Sequence, residues 1–112
     1  MGFRVTQKEI KANFSKIISV PYCSLQNLLW CESPVAYTVR REGWAADIYD
    51  MGGGVAIVTG YAPFGNIRLA HELCERYEKQ AESIRNSCPL SWTEHRKKLR
   101  QLANEFIKEA TK

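Results

Sequence analysis

The stretch Trp44-Ala45-Ala46-Asp47-Ile48-Tyr49-Asp50-Met51-Gly52-Gly53-Gly54-Val55-Ala56-Ile57-Val58-Thr59 decides the fold. Trp44, Ala46 and Ile48 fall on one side of a period-two repeat, and Ala45, Asp47 and Tyr49 on the other. That alternation is the mark of a half-buried strand. The three glycines that follow accept the positive φ of a tight turn. Residues 55–59 are then almost continuously apolar, which predicts a strand buried on both faces. The stretch reads as a β-hairpin.

Outward from it, Val35-Ala36-Tyr37-Thr38-Val39-Arg40 predicts a further strand, joined to the first by a turn at Glu42-Gly43. Upstream, Lys16-Ile17-Ile18-Ser19-Val20 is β-branched and closed by Pro21, again a strand. Before it, Thr6-Gln7-Lys8-Glu9 has the form of a capping box, with Val5 and Ile10 as the staple pair, so a short helix is expected to Phe14. Ser24 is placed to cap a second short helix through Leu25, Leu28, Leu29 and Trp30, with Pro34 closing that section.

Downstream, Ile67, Ala70, Cys74, Tyr77, Ala81, Ile84 and Cys88 recur at alternating spacings of three and four, a helical stripe with Asn66 as N-cap and Pro89 as stop. Ser91-Trp92-Thr93-Glu94 is a second capping box, opening a helix with Leu99, Leu102, Phe106 and Ala110 inward. The short link predicts an antiparallel helical hairpin. The expected fold is therefore α+β: an antiparallel sheet of three or four strands, packed by a C-terminal helical hairpin, with a short N-terminal helix. Half of the long stripe is small residues, which suit close packing against a second copy, so a homo-oligomer is expected.

The chain has 112 residues, enough for one domain spanning 1–112 and too few for two cores. Hydrophobic residues are 45% and charged residues 25%, which excludes wholesale disorder. No apolar run reaches the ~20 residues of a membrane helix, and the first ten residues lack the apolar core of a signal peptide. A cytoplasmic protein with no membrane partner is expected. The formal charge of +4 favours anionic partners and excludes a DNA mimic, which must be acidic. Cys23, Cys31, Cys74 and Cys88 include no C-x-x-C pair, and His71 and His95 lie far apart. No metal or cofactor is expected, and reduced thiols are.

Three segments can meet an anionic, aromatic ligand. The first is Gly60-Tyr61-Ala62-Pro63-Phe64-Gly65-Asn66-Ile67-Arg68, read as a loop entering a helix N-terminus. Backbone N–H groups there can hold a phosphate, Arg68 adds charge, and Tyr61 and Phe64 can stack on a base. A plain turn with an aromatic plug has the same sequence features. The second is Arg40-Arg41-Glu42-Gly43-Trp44, two arginines and a tryptophan beside a turn. The strand pleat puts Arg40 and Arg41 on opposite faces, so one of them serves a given site. An edge strand carrying protective charge has the same pattern. The third is Arg96, Lys97, Lys98 and Arg100 on the last helix, either a phosphate contact or a solvated face. The ligand-binding set is thus Arg40, Arg41, Trp44, Tyr61, Phe64, Asn66 and Arg68.

Catalytic groupings are poor. Asp47 and Asp50 sit on opposite faces of a strand, His71 has only Glu75 at i+4, and Cys23 has no base in view. A non-enzyme is expected.

At Tyr22-Cys23-Ser24-Leu25-Gln26-Asn27-Leu28-Leu29, Ala36-Tyr37-Thr38, Glu42-Gly43-Trp44-Ala45-Ala46-Asp47-Ile48-Tyr49 and Thr59-Gly60-Tyr61-Ala62-Pro63, the chain resembles a family of small proteins from bacterial viruses and mobile elements. The resemblance spans residues 6–110 and lies near the anti-Thoeris signal sponges. Those proteins bind a cyclic ADP-ribose isomer without cleaving it, at a subunit interface, and combine a small sheet with C-terminal helices. The resemblance implies an anti-defence protein in the host cell that sequesters a nucleotide signal, either a cyclic ADP-ribose isomer or a cyclic oligonucleotide. No position takes a ligand role from it. The alternative is an anti-CRISPR-type inhibitor that binds a host nuclease or its guide RNA, using the basic helix cluster and an exposed aromatic face.

Overall fold

The hairpin at the three glycines organises the sheet. In a computed structural model, β3 (Trp44–Gly52) and β4 (Val55–Tyr61) pair antiparallel, with Ile48 opposite Val58. Gly53 and Gly54 form the two-residue turn at φ +62° and +78°. Two positive φ values give a turn whose twist matches that of the strands it joins. The Asp50 carboxylate accepts from the Gly52 N–H at 2.9 Å, at the bulge where the register shifts.

The structure describes residues 6–21, 25–29, 37–62, 64–87 and 91–112. The remaining elements are α1 (Gln7–Asn13), β1 (Lys16–Ser19), β2 (Tyr37–Arg41), β5 (Ile67–Arg68), α2 (His71–Arg85) and α3 (Trp92–Ala110). The architecture is α+β, with a short N-terminal helix and C-terminal helices. The expectations resting on Val5, Cys23, Ser24, Trp30, Cys31, Pro34, Val35, Ala36, Pro63, Cys88 and Pro89 fall outside the described residues.

The sheet differs from the expected three or four antiparallel strands. It has five, in the order β2-β3-β4-β1-β5, and it is mixed. β1 runs parallel to β4, with Ile17 opposite Ala56 and Ile18 opposite Ile57. β5 runs parallel to β1, with Ile18 opposite Ile67. The cause is backbone accounting: β4 is buried, so its second edge needs a partner, and β1 supplies it. β1 in turn has a second edge, which captures Ile67 and Arg68. The Leu69 N–H continues the pairing by donating to the Ser19 carbonyl at 3.1 Å.

This capture shortens the expected helix. α2 begins at His71, with Ala70 as its N-cap and no side-chain cap. Asn66 is therefore not the cap; its Nδ2 donates to the Ser15 carbonyl at 2.9 Å. The stripe survives from Cys74 through Tyr77 and Ala81, all buried, to a half-buried Ile84. α1 and α3 start as their capping residues predict. Thr6 Oγ1 accepts from the Glu9 N–H and Ser91 Oγ from the Glu94 N–H, both at 3.2 Å.

Strand alternation sends side chains to two cores. On one face Ile18, Ile57 and Val20 meet Cys74, Tyr77, Ala81, Leu99, Leu102, Ala103 and Phe106. On the other, Ile17, Ile48, Ala56 and Val58 meet Ile10 of α1 and its C-cap Phe14, with Phe64. The C-terminal helices run antiparallel. Tyr77 packs edge-on to Phe106 with ring centroids 5.2 Å apart, while His95 Nε2 lies 3.0 Å from the Ser87 carbonyl at the other end. The small residues Cys74 and Ala81 are consumed by the chain's own core.

The expected helix after Ser24 is a single turn over residues 25–29, closed by the Leu29 N–H on the Leu25 carbonyl at 2.9 Å. Glu78 of α2 holds it. Its Oε2 accepts from the Asn27 N–H at 2.7 Å and from Asn27 Nδ2 at 3.0 Å, and its Oε1 from the Leu28 N–H at 3.1 Å. Leu25, inside this turn, sits at φ +65° and is fully buried. Glu78→Ala is expected to lower stability by about 1–3 kcal/mol, the cost of stripping partly buried donors of their acceptor. Urea unfolding of both proteins measures it.

A second polar contact joins α2 to α3. The Glu109 carboxylate accepts from Arg76 and from the Tyr77 hydroxyl. Burial, then the Glu109 hydrogen bond, pushes the Tyr77 phenol up to about 12, and burial pushes the Cys74 thiol up to about 11. Both groups favour the fold while protonated. Their contribution is complete below the ordinary values, 9.0 for Cys and 10.0 for Tyr, and drains as pH rises through the folded ones. The melting temperature is expected to fall between those limits, and Tyr77→Phe to flatten the upper part of the fall. Thermal unfolding against pH reads both.

Candidate functional site

The five strands are not covered evenly. On the face that packs α2 and α3, the helical core takes Ile18 of β1 and Ile57 of β4, with Ile67 of β5 and Tyr49 and Met51 of β3 against it. Toward the β2 edge the same face lies open as a groove of about 300 Å³, lined by Gln26, Thr38, Arg40, Ala45, Asp47, Thr59, Gly60 and Tyr61 with backbone neighbours.

Register explains its composition. The two-residue turn at Glu42-Gly43 sets Arg41 opposite Trp44, hence Arg40 opposite Ala45 and Thr38 opposite Asp47. The β3–β4 pairing sets Ala45 opposite Tyr61 and Asp47 opposite Thr59. Two rows thus cross three strands: Arg40–Ala45–Tyr61 and Thr38–Asp47–Thr59. Ala45, small and central, leaves a notch between a guanidinium and a phenol ring. Gly60 lets β3 and β4 close up beside that notch: at φ +101°, its missing Cβ would stand 2.7 Å from the Ala45 carbonyl oxygen.

Tyr61 is 72% exposed, and its ring is open to a ligand. Arg40 is exposed. Among the described residues neither its guanidinium nor the half-buried Asp47 carboxylate has a hydrogen-bond or ion-pair partner. Burial, and secondly the Asp47 charge, raise the Tyr49 phenol above its ordinary value.

The structure brings Arg40 and Tyr61 to one groove and places the other five expected site residues outside it. Arg41 and Trp44 belong to the opposite face. Arg41 Nη1 donates to the Arg40 carbonyl at 2.8 Å, and Trp44 packs edge-on to Phe64 with centroids 5.2 Å apart. Phe64 is 1% exposed, a core ring with no face for a base. Asn66 and Arg68 flank or form β5, at the far edge of the sheet. The loop from Gly60 to Arg68 does not enter a helix N-terminus, because β1 claims Ile67 and Arg68 first, so the phosphate cradle expected there is not formed. β2 is also an edge strand, as the protective-charge reading of Arg40 and Arg41 requires.

Thr38 and Thr59 were not among the candidates, and Asp47 was weighed only as a catalytic group beside Asp50. A signal for Thr38 exists in the two-residue turn at Glu42-Gly43, which sets it abreast of Asp47, whereas Thr59 needs the β3–β4 register as well.

A second, shallower groove of about 340 Å³ runs along α3 between Thr93, Arg96, Lys97 and Arg100. These occupy one helical face at i, i+3, i+4 and i+7. Among the described residues no three His, Cys, Asp or Glu side chains gather as metal ligands do, and no helix is long and apolar enough to cross a membrane.

The two aromatic residues three positions apart have opposite roles, and stability separates them. Phe64→Ala is expected to cost about 3–5 kcal/mol, as for a buried ring. Tyr61→Ala is expected to stay within about 0.5 kcal/mol. Urea unfolding of the two variants checks the difference. Comparison of the chain with protein-family models, with curated proteins and with solved structures finds no match in any of the three.

Proposed function

We propose that this chain is a non-enzymatic binding protein that sequesters a nucleotide-type signalling molecule in the groove over β2, β3 and β4. The observation that carries the reading is the placement of Arg40 and Tyr61 on either side of Ala45, in one open groove. A guanidinium binds phosphate through a planar fork of donors. An exposed phenol ring offers a stacking face that every base accepts. The alanine between them leaves room for the ligand against the sheet. The two threonine hydroxyls supply further polar contacts.

The groove suits holding more than cutting. Among the described residues, Asp47 is the single carboxylate in its lining, and neither His nor Cys joins it. In the anti-defence setting that the sequence resemblance implies, such a protein acts stoichiometrically in the host cytoplasm, lowering the free concentration of a signal. Cyclic ADP-ribose isomers and cyclic oligonucleotides both combine a phosphate with an aromatic base, and both fit this chemistry.

A second reading rests on the basic face of α3. Thr93, Arg96, Lys97 and Arg100 form a stripe that can lie along a phosphate backbone or an acidic protein face. It corresponds to an inhibitor of a host nuclease or of its guide RNA.

Thermal unfolding against a nucleotide panel separates these. A ligand bound only to the folded chain at ~100 times its dissociation constant adds about 2.7 kcal/mol. The expected result is a rise in melting temperature for at least one nucleotide, its loss in Arg40→Ala and in Tyr61→Ala, and recovery of the ligand intact by chromatography. Conversion of the ligand would make the protein an enzyme. No shift with any nucleotide, alongside capture of a nuclease complex that Arg96→Ala weakens, would favour the inhibitor.

A further inference from the structure

Asp47 is the unexplained group in the groove. It is half-buried, in the middle of the row Thr38–Asp47–Thr59, one row from Arg40 and Tyr61. Among the described residues it makes no hydrogen bond and no ion pair, and it does not bridge to Arg40. An ionised carboxylate is an acceptor only. A ligand must bring donors to it and keep its phosphate away from it.

The register limits which donors those are. Arg40 and Asp47 are diagonal neighbours on adjacent strands, about 7–8 Å apart at Cα. With the phosphate on Arg40, the groups one diagonal step away are those of the attached sugar. The base is directed instead across Ala45 toward Tyr61. The hydroxyls of Thr38 and Thr59 flank Asp47 on both sides, and each can donate or accept. A sugar hydroxyl that donates to the carboxylate can therefore take a return bond from either threonine. A deoxy position leaves the carboxylate without its donor.

We propose that Asp47, between Thr38 and Thr59, accepts a hydrogen bond from the 2′-hydroxyl of the bound nucleotide and makes the groove select ribonucleotides over 2′-deoxyribonucleotides. This rests on the reading of the groove as a nucleotide site and adds to it the sugar that the site takes. It also fixes the ligand's direction, with the phosphate toward the Arg40 side of the groove and the sugar over the middle of β3.

Isothermal titration of the full chain with ADP and with 2′-deoxy-ADP tests it, at one fixed salt concentration. The wild-type chain is expected to prefer ADP by about tenfold or more, the worth of one hydrogen bond to a charged group. Asp47→Asn is expected to weaken ADP by a similar factor and to bring the two nucleotides close to equal affinity. Asp50→Asn removes the same charge three residues away, outside the groove lining, and is expected to keep the preference. Thermal unfolding confirms that both variants fold. Binding of both nucleotides without a ribose preference, or a preference that survives in Asp47→Asn, overturns the sugar assignment and leaves nucleotide binding standing. Failure of both to bind, while another nucleotide of the panel raises the melting temperature, overturns this site for ADP in the same way. Failure of the whole panel overturns the nucleotide reading and this inference together.

Discussion

The pairing of β1 with β4 is the contact on which the rest of the structure depends. β4 carries Ala56, Ile57 and Val58 with almost no exposed surface, so the backbone groups along both its edges are cut off from water. The hairpin satisfies one edge, and only another strand can satisfy the other at comparable density. Once β1 takes that place, Ile17 and Ile18 fall on opposite faces and a core is seeded on each side. β1's own second edge then takes Ile67 and Arg68 out of the helix that their spacing suggests. α2 starts later as a result, and the helical layer sits over β4, β1 and β5. The β2 edge is left open, and the groove is the part of the sheet face that this layer does not reach.

That arrangement decides which polar residues can act. Buried positions on β3 and β4 had to be apolar, and they are. Asp47, Thr59 and Tyr61 occur where the same strands run beyond the helical cover, and Thr38 and Arg40 lie beside them on β2. Charged groups there stay accessible to solvent, so the open groove incurs little of the desolvation penalty that an unpaired buried charge would. On the proposed reading, a ligand that brings both a phosphate and hydroxyl donors would exchange water for aligned partners on rigid strands. Sites carried on strands hold their geometry better than sites on loops, which lowers the ordering cost of binding.

Much of this was legible in the amino-acid sequence, and the parts that were not share a cause. Thr6 and Ser91 cap the helices they were expected to cap, because a capping box is a local device. The β3–β4 hairpin follows from three glycines between two apolar runs. Arg40 and Tyr61, singled out for charge and aromatic character beside turns, are the two expected residues that line the groove. The strand at β1 was expected, but its parallel pairings and the short β5 were missed, because parallel pairing joins residues far apart in sequence and neither Ile17 nor Ile67 announces its partner. The same long-range pairing misled the reading of Asn66 and Arg68, whose local pattern fits a helix start well. Asp47 was placed on the correct face of its strand, but its neighbours Thr38 and Thr59 follow only from two registers taken together.

Phe64 and Tyr61 show why residue type alone could not assign the site. Both are aromatic, both lie at or just past the end of the same strand, and both were candidates to stack on a base. Tyr61 is the last residue of β4 and projects beside Ala45 into the groove. Phe64, beyond the strand end, turns under the other face and closes the α1 core against Trp44. Three residues of chain carry the side chain from one side of the sheet to the other. The ring that lacks a hydroxyl becomes core, and the ring that has one remains at the water boundary, where a phenol loses no hydrogen bond. The sorting follows from the cost of burying an unpartnered polar group, the same cost that keeps Asp47 in the open groove with its acceptor oxygens available to a ligand.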